Sequence, residues 1–132
     1  MTIYYSDRNP GLHLVKLNGP LLRSRVDEVE AAFETLFRQG ARQVVVDLAG
    51  VPLIDSAGLS TLVNGYRRFG SQPQNFRLAA LQDQPRLVFD LTGFDNIFLL
   101  YDTGLEAVAG EPVALEPAFI SRPPARRVMP VL

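Results

Sequence analysis

The chain has 132 residues, a formal net charge of −1 and no cysteine. That length predicts one domain, which can bury about two-thirds of its unfolded surface without disulfide or metal staples. The near-neutral charge gives no electrostatic reason to expect nucleic acid or an anionic membrane as a partner. The absence of cysteine excludes thiol chemistry, and the single histidine, His13, leaves no histidine cluster for zinc.

The N-terminal stretch MTIYYSDRNPG lacks the basic and apolar regions of a signal peptide. No apolar run in the chain is long enough to span a bilayer. We therefore expect a cytoplasmic protein, with no cofactor and no bound metal.

The first 40 residues predict two strands and a helix. LHLVKLNG at 12–19 predicts a strand, paired with a shorter strand at 2–5. Residues 24–39 then switch to helical spacing, with one apolar stripe along the segment. Ser24 followed by Asp27 indicates a capping box at the start of this helix.

The next pair of elements is a buried strand and an amphipathic helix. QVVVDL at 43–48 is apolar on consecutive positions, which is typical of a central strand covered on both faces. The helix predicted at 56–69 carries Leu59, Leu62 and Val63 on its core stripe. These residues should therefore be protected from solvent.

The alternation of strands and helices continues to residue 110. FRLAAL at 76–81 predicts a strand, and Pro85 suits the first turn of a helix that runs through Leu91. A strand at 96–101 and a short helix at 104–110 follow. This order predicts an α/β fold with a four- to five-stranded mixed sheet, largely parallel, and with the helices packed mainly on one face.

Residues 111–132 differ in composition from the predicted domain at 1–110. They contain five of the ten prolines, together with Arg122, Arg126 and Arg127, interspersed with apolar residues. This composition excludes regular helix and is not typical of disorder. It favours an extended tail that lies along its own domain or on a second copy.

Two carboxylates, Asp47 and Asp55, are predicted near strand ends, where α/β folds place their sites. They leave a small enzyme as one hypothesis. However, an aspartyl phosphatase would need an acidic residue where Ala49 stands, and a phospho-receiver domain would need a lysine later than Lys16. No phosphate-binding glycine loop is present either. We therefore favour a binding protein over an enzyme.

The segment DSAGL at 55–59 contains two residues suited to cap a helix, Asp55 and Ser56. Capping does not explain Gly58, since glycine in a helix costs about 1 kcal/mol relative to alanine. A first turn without large side chains would let another protein approach the backbone N–H groups. A phosphate on Ser56 would lie beside the same N–H groups, at the positive end of the helix.

VVVDLAGVPLIDSAGLSTLV resembles the signature of STAS domains, particularly the bacterial anti-sigma factor antagonists. The resemblance extends over residues 12–110, and it includes the order of elements and LVFDLTGFDNIFLLYDT near the end. Where many family members carry an acidic residue close to the site, this chain has Leu22.

The resemblance implies a phosphorylation-controlled binding module of a partner-switching pathway. In such antagonists the serine that corresponds to Ser56 is phosphorylated by an anti-sigma factor serine kinase, and a phosphoserine phosphatase reverses the modification. The unphosphorylated form binds the kinase, which releases the sigma factor. The partner-binding residues would then be Asp55, Ser56, Ala57, Gly58 and Ser60.

A second reading of the resemblance is a non-switching STAS subunit that scaffolds a transporter or a signalling complex. Only the switching antagonist needs the hydroxyl of Ser56. A homodimer stays open under both readings.

Overall fold

The computed structural model describes residues 1–5, 9–70 and 72–109, which form an α/β fold around one mixed sheet. The predicted tail at 111–132 lies outside the described residues. Five strands lie in the order β1-β2-β3-β4-β5, with β1 antiparallel to β2 and all other neighbours parallel. The strands are β1 (Thr2–Tyr5), β2 (Leu12–Asn18), β3 (Gln43–Gly50), β4 (Phe76–Ala79) and β5 (Leu99–Tyr101). The predicted mixed sheet is confirmed.

Four α-helices cover the sheet: α1 (Val26–Arg38), α2 (Ser56–Phe69), α3 (Asp83–Thr92) and α4 (Gly104–Val108). The parallel strands follow one another in chain order, so right-handed crossovers place α1, α2 and α3 on the same face. These three helices enclose the larger apolar core, whereas α4 covers a smaller core on the opposite face.

Strand β3 lies at the centre of both cores. Val44 and Val46 face the larger core and Val45 faces the smaller one, as the run of consecutive apolar residues predicted. Leu59 and Leu62 of α2 are also buried against the larger core. The predicted core stripe is confirmed at Leu59 and Leu62, whereas Val63 is half-buried against the same core.

The predicted capping box before α1 does not form. Residues Arg23–Arg25 instead make a turn of 3-10 helix, so Ser24 lies inside a helical turn and not at its N-cap. The α-helix proper begins only at Val26, with no side-chain cap. Arg25 spans the connection to β2, and its guanidinium donates to the Asn18 carbonyl.

Strands β4 and β5 are shorter than predicted. Strand β4 ends at Ala79 because Ala80 adopts a left-handed backbone with φ of 60°, which turns the chain out of the sheet. Residues Phe94–Asn96 form a 3-10 turn, which delays the start of β5 to Leu99.

Candidate functional site

The candidate site is the N-terminus of α2, where Asp55 caps the helix that begins at Ser56. One carboxylate oxygen of Asp55 accepts a hydrogen bond from the Gly58 N–H at 2.8 Å. The other oxygen accepts from the Arg23 N–H at 3.0 Å. A single side chain therefore fixes the start of α2 and joins it to the segment that leads into α1.

The hydrogen bonds to Asp55 also set its charge. Donation from the Gly58 N–H, with further donation from the N–H groups of Arg23 and Ala57, lowers the pKa of this carboxyl below its ordinary value. Asp55 is therefore anionic at neutral pH and acts as a fixed hydrogen-bond acceptor. A general acid would instead need a raised pKa.

Ser56 is exposed and occupies the first helical position of α2. Within the described part of the chain, its hydroxyl makes no hydrogen bond that would have to break on modification. Ser60 is one turn further along the helix and is also exposed, so the two hydroxyl residues share one face. Ala57, between them in sequence, is half-buried.

Close packing explains why position 58 carries glycine, and the sequence alone did not reveal this packing. Gly58 is buried, and a Cβ at this position would lie 2.2 Å from the Leu21 carbonyl oxygen and 2.9 Å from Cγ1 of Ile54. The glycine therefore permits close packing of α2 on the Leu21 backbone. This packing accounts for the glycine without any partner, so the interpretation that it keeps the first turn bare for a partner is not needed to explain the residue. Whether the partner contacts its backbone stays a prediction.

The loop between β3 and α2 is held by the segment that follows β2. Leu21 and Ile54 form an isolated parallel bridge, and the Leu21 N–H donates to the Leu53 carbonyl at 2.9 Å. Ile54 is buried, whereas the side chain of Leu53 is 43% exposed beside the helix start. Leu22, next to this bridge, is half-buried. Leu53 is thus an exposed apolar side chain three residues before Ser56.

Helix α3 holds the same loop from another side. The Ile54 N–H donates to Oε1 of Gln84 at 2.9 Å, and Nε2 of Gln84 donates to the Ile54 carbonyl at 3.1 Å. Neither Gln84 nor Leu53 was identified from the sequence. No short-range pattern marks a contact between residues 30 positions apart.

The second carboxylate, Asp47, belongs to a different environment. It is only 8% exposed, and its Oδ1 accepts from the Ala49 N–H at 2.9 Å. Its Oδ2 lies against the start of α4, where a Cβ added to Gly104 would come within 2.9 Å of it. Asp55 is engaged at α2 instead, so the two carboxylates make separate sets of contacts and do not form a shared pair.

His13 is not placed to act as a base for Ser56. It pairs with Val44 near the beginning of β3, whereas Ser56 follows the loop after the end of that strand. Its ring packs edge-on against Tyr5, with a centroid separation of 4.8 Å. Burial lowers the pKa of His13, which favours the neutral ring.

Within residues 1–5, 9–70 and 72–109, no group of three or more histidine, aspartate or glutamate side chains is arranged to hold a metal ion. Among the same residues, no helix combines the length and the apolar character that crossing a bilayer requires.

The mixed five-stranded sheet, with Ser56 at the start of the second helix, is the arrangement expected of a STAS domain. The STAS domain family matches residues 6–107, which is most of the chain. The protein therefore belongs to the STAS domain family.

Two relatives of this chain are named as anti-sigma factor antagonists. BtrV of Bordetella bronchiseptica, provisionally named an anti-sigma factor antagonist, is 28% identical over 109 residues, covering 83% of this chain and 94% of the relative. The anti-sigma-B factor antagonist of Staphylococcus epidermidis is 28% identical over 83 residues, covering 63% of this chain and 77% of the relative.

Among solved structures, an anti-sigma factor antagonist from Mycobacterium paratuberculosis superposes with a TM-score of 0.69 at 26% identity. The match covers 82% of this chain and 92% of that one. The similarity thus extends over nearly the whole described fold.

Proposed function

We propose that this protein is an anti-sigma factor antagonist, and that phosphorylation of Ser56 controls its binding to an anti-sigma factor serine kinase. The observation that carries the proposal is the exposed Ser56 at the first position of a helix capped by Asp55. The names of the relatives support the antagonist class. The protein would act by binding and not by catalysis, in the cytoplasm.

The chemistry of the switch is a phosphoryl transfer performed by the partner. Oγ of Ser56 attacks the γ-phosphorus of ATP, the bond to the bridging oxygen breaks, ADP leaves, and the hydroxyl proton passes to a base of the kinase. A phosphatase would return the hydroxyl by hydrolysis to inorganic phosphate. This chain contributes an accessible nucleophile at a fixed position.

The effect of the phosphate would be electrostatic and local. It adds a charge of about −2 to an exposed face, beside the anionic carboxylate of Asp55 and the exposed Leu53. The positive end of α2 can accommodate that charge, so the fold should persist. A kinase surface that fits the neutral serine and the apolar side chain of Leu53 would have to remove water from a dianion once Ser56 is phosphorylated. This cost weakens binding.

The partner surface would include Asp55, Ser56, Ala57, Gly58 and Ser60. Of these, Ser56 and Ser60 present exposed side chains, Asp55 and Ala57 are half-buried, and Gly58 is buried. We infer that the serine hydroxyls are the side-chain contacts, whereas Asp55 acts mainly by holding the helix start.

The test is site-specific phosphorylation. The full chain is used to capture its ATP-binding kinase from the source cells, and the purified kinase is incubated with the protein and ATP. Mass spectrometry should find one phosphate, at Ser56, and none on Ser56→Ala. Ser60→Ala removes a partner contact but keeps the hydroxyl of Ser56, so it should still gain its single phosphate at Ser56.

Phosphate on Ser60 and not on Ser56 would contradict the assignment of the site. A captured partner that binds the wild type and Ser56→Ala equally, but never phosphorylates either, would favour the non-switching scaffold.

A further inference from the structure

The amide of Gln84 binds both backbone polar groups of Ile54, the residue directly before the helix cap. The Ile54 N–H donates to Oε1 at 2.9 Å, and Nε2 donates to the Ile54 carbonyl at 3.1 Å. Gln84 is half-buried in the first turn of α3, so solvent only partly competes for these bonds. The amide of one side chain thus pairs with the backbone of a residue 30 positions earlier, in the way that a neighbouring strand would.

The loop that carries the site is held from both directions. On one side, Leu21 bridges Ile54, and its carbonyl accepts from the Asp55 N–H at 3.4 Å. On the α3 side, Gln84 binds Ile54 in the loop, and Nε2 of Gln82 donates to the carbonyl of Ala49 at the end of β3, just before the loop. Gln82 is the N-cap residue of α3 but makes no side-chain cap bond to its own helix. The two glutamine side chains at the start of α3 therefore hold the loop and the strand end that precedes it.

We propose that Gln84 is a positioning residue for the Ser56 site. It fixes the backbone of Ile54, from which Asp55 and Ser56 continue into α2. Phosphoryl transfer requires the serine oxygen to meet the γ-phosphorus in a narrow range of geometries. Without Gln84, the loop gains conformations in which the hydroxyl is displaced. The role at Ser56 rests on the proposed function, whereas the hold on Ile54 does not.

Three variants separate positioning from general stability. Gln84→Met keeps the length of the side chain and removes both hydrogen bonds. Gln84→Glu keeps an acceptor for the Ile54 N–H but loses the donor. Thr92→Val is the matched control, because it removes a side-chain bond at the other end of the same helix, where Thr92 Oγ1 donates to the Val88 carbonyl at 2.7 Å.

Amide hydrogen exchange measures the hold on the loop directly, with no partner present. Loss of two hydrogen bonds should accelerate exchange of the Ile54 amide about tenfold or more in Gln84→Met. The amides at the centre of β3, such as Val45, should keep the wild-type rate, and Thr92→Val should match the wild type at Ile54. Gln84→Glu should also accelerate exchange of the Ile54 amide, because a carboxylate oxygen would face the Ile54 carbonyl where Nε2 donates.

Phosphorylation by the captured kinase measures the consequence at the site. The kcat/KM for Ser56 should fall about tenfold in Gln84→Met, should also fall in Gln84→Glu, and should not change in Thr92→Val. A fall in kcat/KM without a matching fall in melting temperature is the readout that a purely structural role would not produce, and the three variants should melt within a few degrees of one another.

Wild-type exchange at Ile54 in Gln84→Met would overturn the positioning role. So would equal losses of kcat/KM in Gln84→Met and Thr92→Val, since these would reflect helix stability alone. If Gln84→Met fails to fold, Gln84→Glu carries both measurements. A wild type that is never phosphorylated would overturn the proposed function. The exchange rates would still show whether Gln84 fixes the backbone of Ile54.

Discussion

Replacement of Gly58 by alanine tests the closest contact that the structure places at the site. The added Cβ would lie 2.2 Å from the Leu21 carbonyl oxygen and 3.0 Å from Cγ of Leu21. The carbonyl cannot easily move away, because it belongs to a backbone segment that is bridged to Ile54 and accepts from the Asp55 N–H. The first turn of α2 would have to shift outwards instead.

Two opposing terms set the size of the effect. Alanine improves the intrinsic helix propensity by about 1 kcal/mol relative to glycine. Overpacking in a well-packed region costs typically about 1–3 kcal/mol, and a clash with backbone belongs at the upper end. We therefore expect Gly58→Ala to lower the free energy of unfolding by about 1–2 kcal/mol, with a drop in melting temperature of about 5 °C or more.

Urea unfolding followed by far-UV circular dichroism measures this difference. Ser60→Ala in the same helix is the matched control, because Ser60 is exposed and alanine should be neutral or slightly stabilising there. A Gly58→Ala protein with the wild-type midpoint, or a higher one, would refute the close approach of α2 to Leu21.

Three further predictions concern the cap, the histidine and the tail. Asp55→Ala should lower the melting temperature more than Asp55→Asn, because asparagine can still accept the Gly58 N–H; equal losses would contradict the capping role. Because burial lowers the pKa of His13, the unfolded chain binds a proton more readily, so stability should fall as the pH drops below about 6.5. His13→Gln should lose less stability than the wild type between pH 7.5 and 5.5 in thermal melts, and parallel curves would count against this explanation. Deletion of residues 111–132 should lower the melting temperature or change the mass in solution, and an unchanged value of both would make the segment a linker.

Much of the fold was accessible from local patterns. The consecutive apolar residues around Val45 predicted a strand buried on both faces, and the helical spacing from Leu59 predicted the stripe that α2 presents to the core. Asp55 was identified as a cap because N-cap chemistry depends on neighbours only three residues away. Such features follow from the periodicity and from short-range hydrogen bonding.

The structure differed from the sequence-based predictions where contacts form between residues that are distant in the chain. Ser24 had the spacing of a capping box, but the chain forms a 3-10 turn there while Arg25 reaches back to the end of β2. Gly58 was given a functional reason, whereas its neighbour Leu21 comes close only when β2 and β3 lie side by side. The contact of Gln84 with the site loop likewise depends on where α3 begins over the sheet.

The affinity of the kinase for the two forms of the protein tests the central proposal most directly. Isothermal titration of the purified kinase with the unphosphorylated chain, and with the chain phosphorylated at Ser56, gives both dissociation constants under one condition. The account predicts at least about tenfold weaker binding of the phosphorylated form, which corresponds to about 1.4 kcal/mol, with no loss of fold in circular dichroism. Ser56→Ala should bind like the unphosphorylated wild type. Equal dissociation constants for the two forms would contradict control of binding by phosphorylation of Ser56.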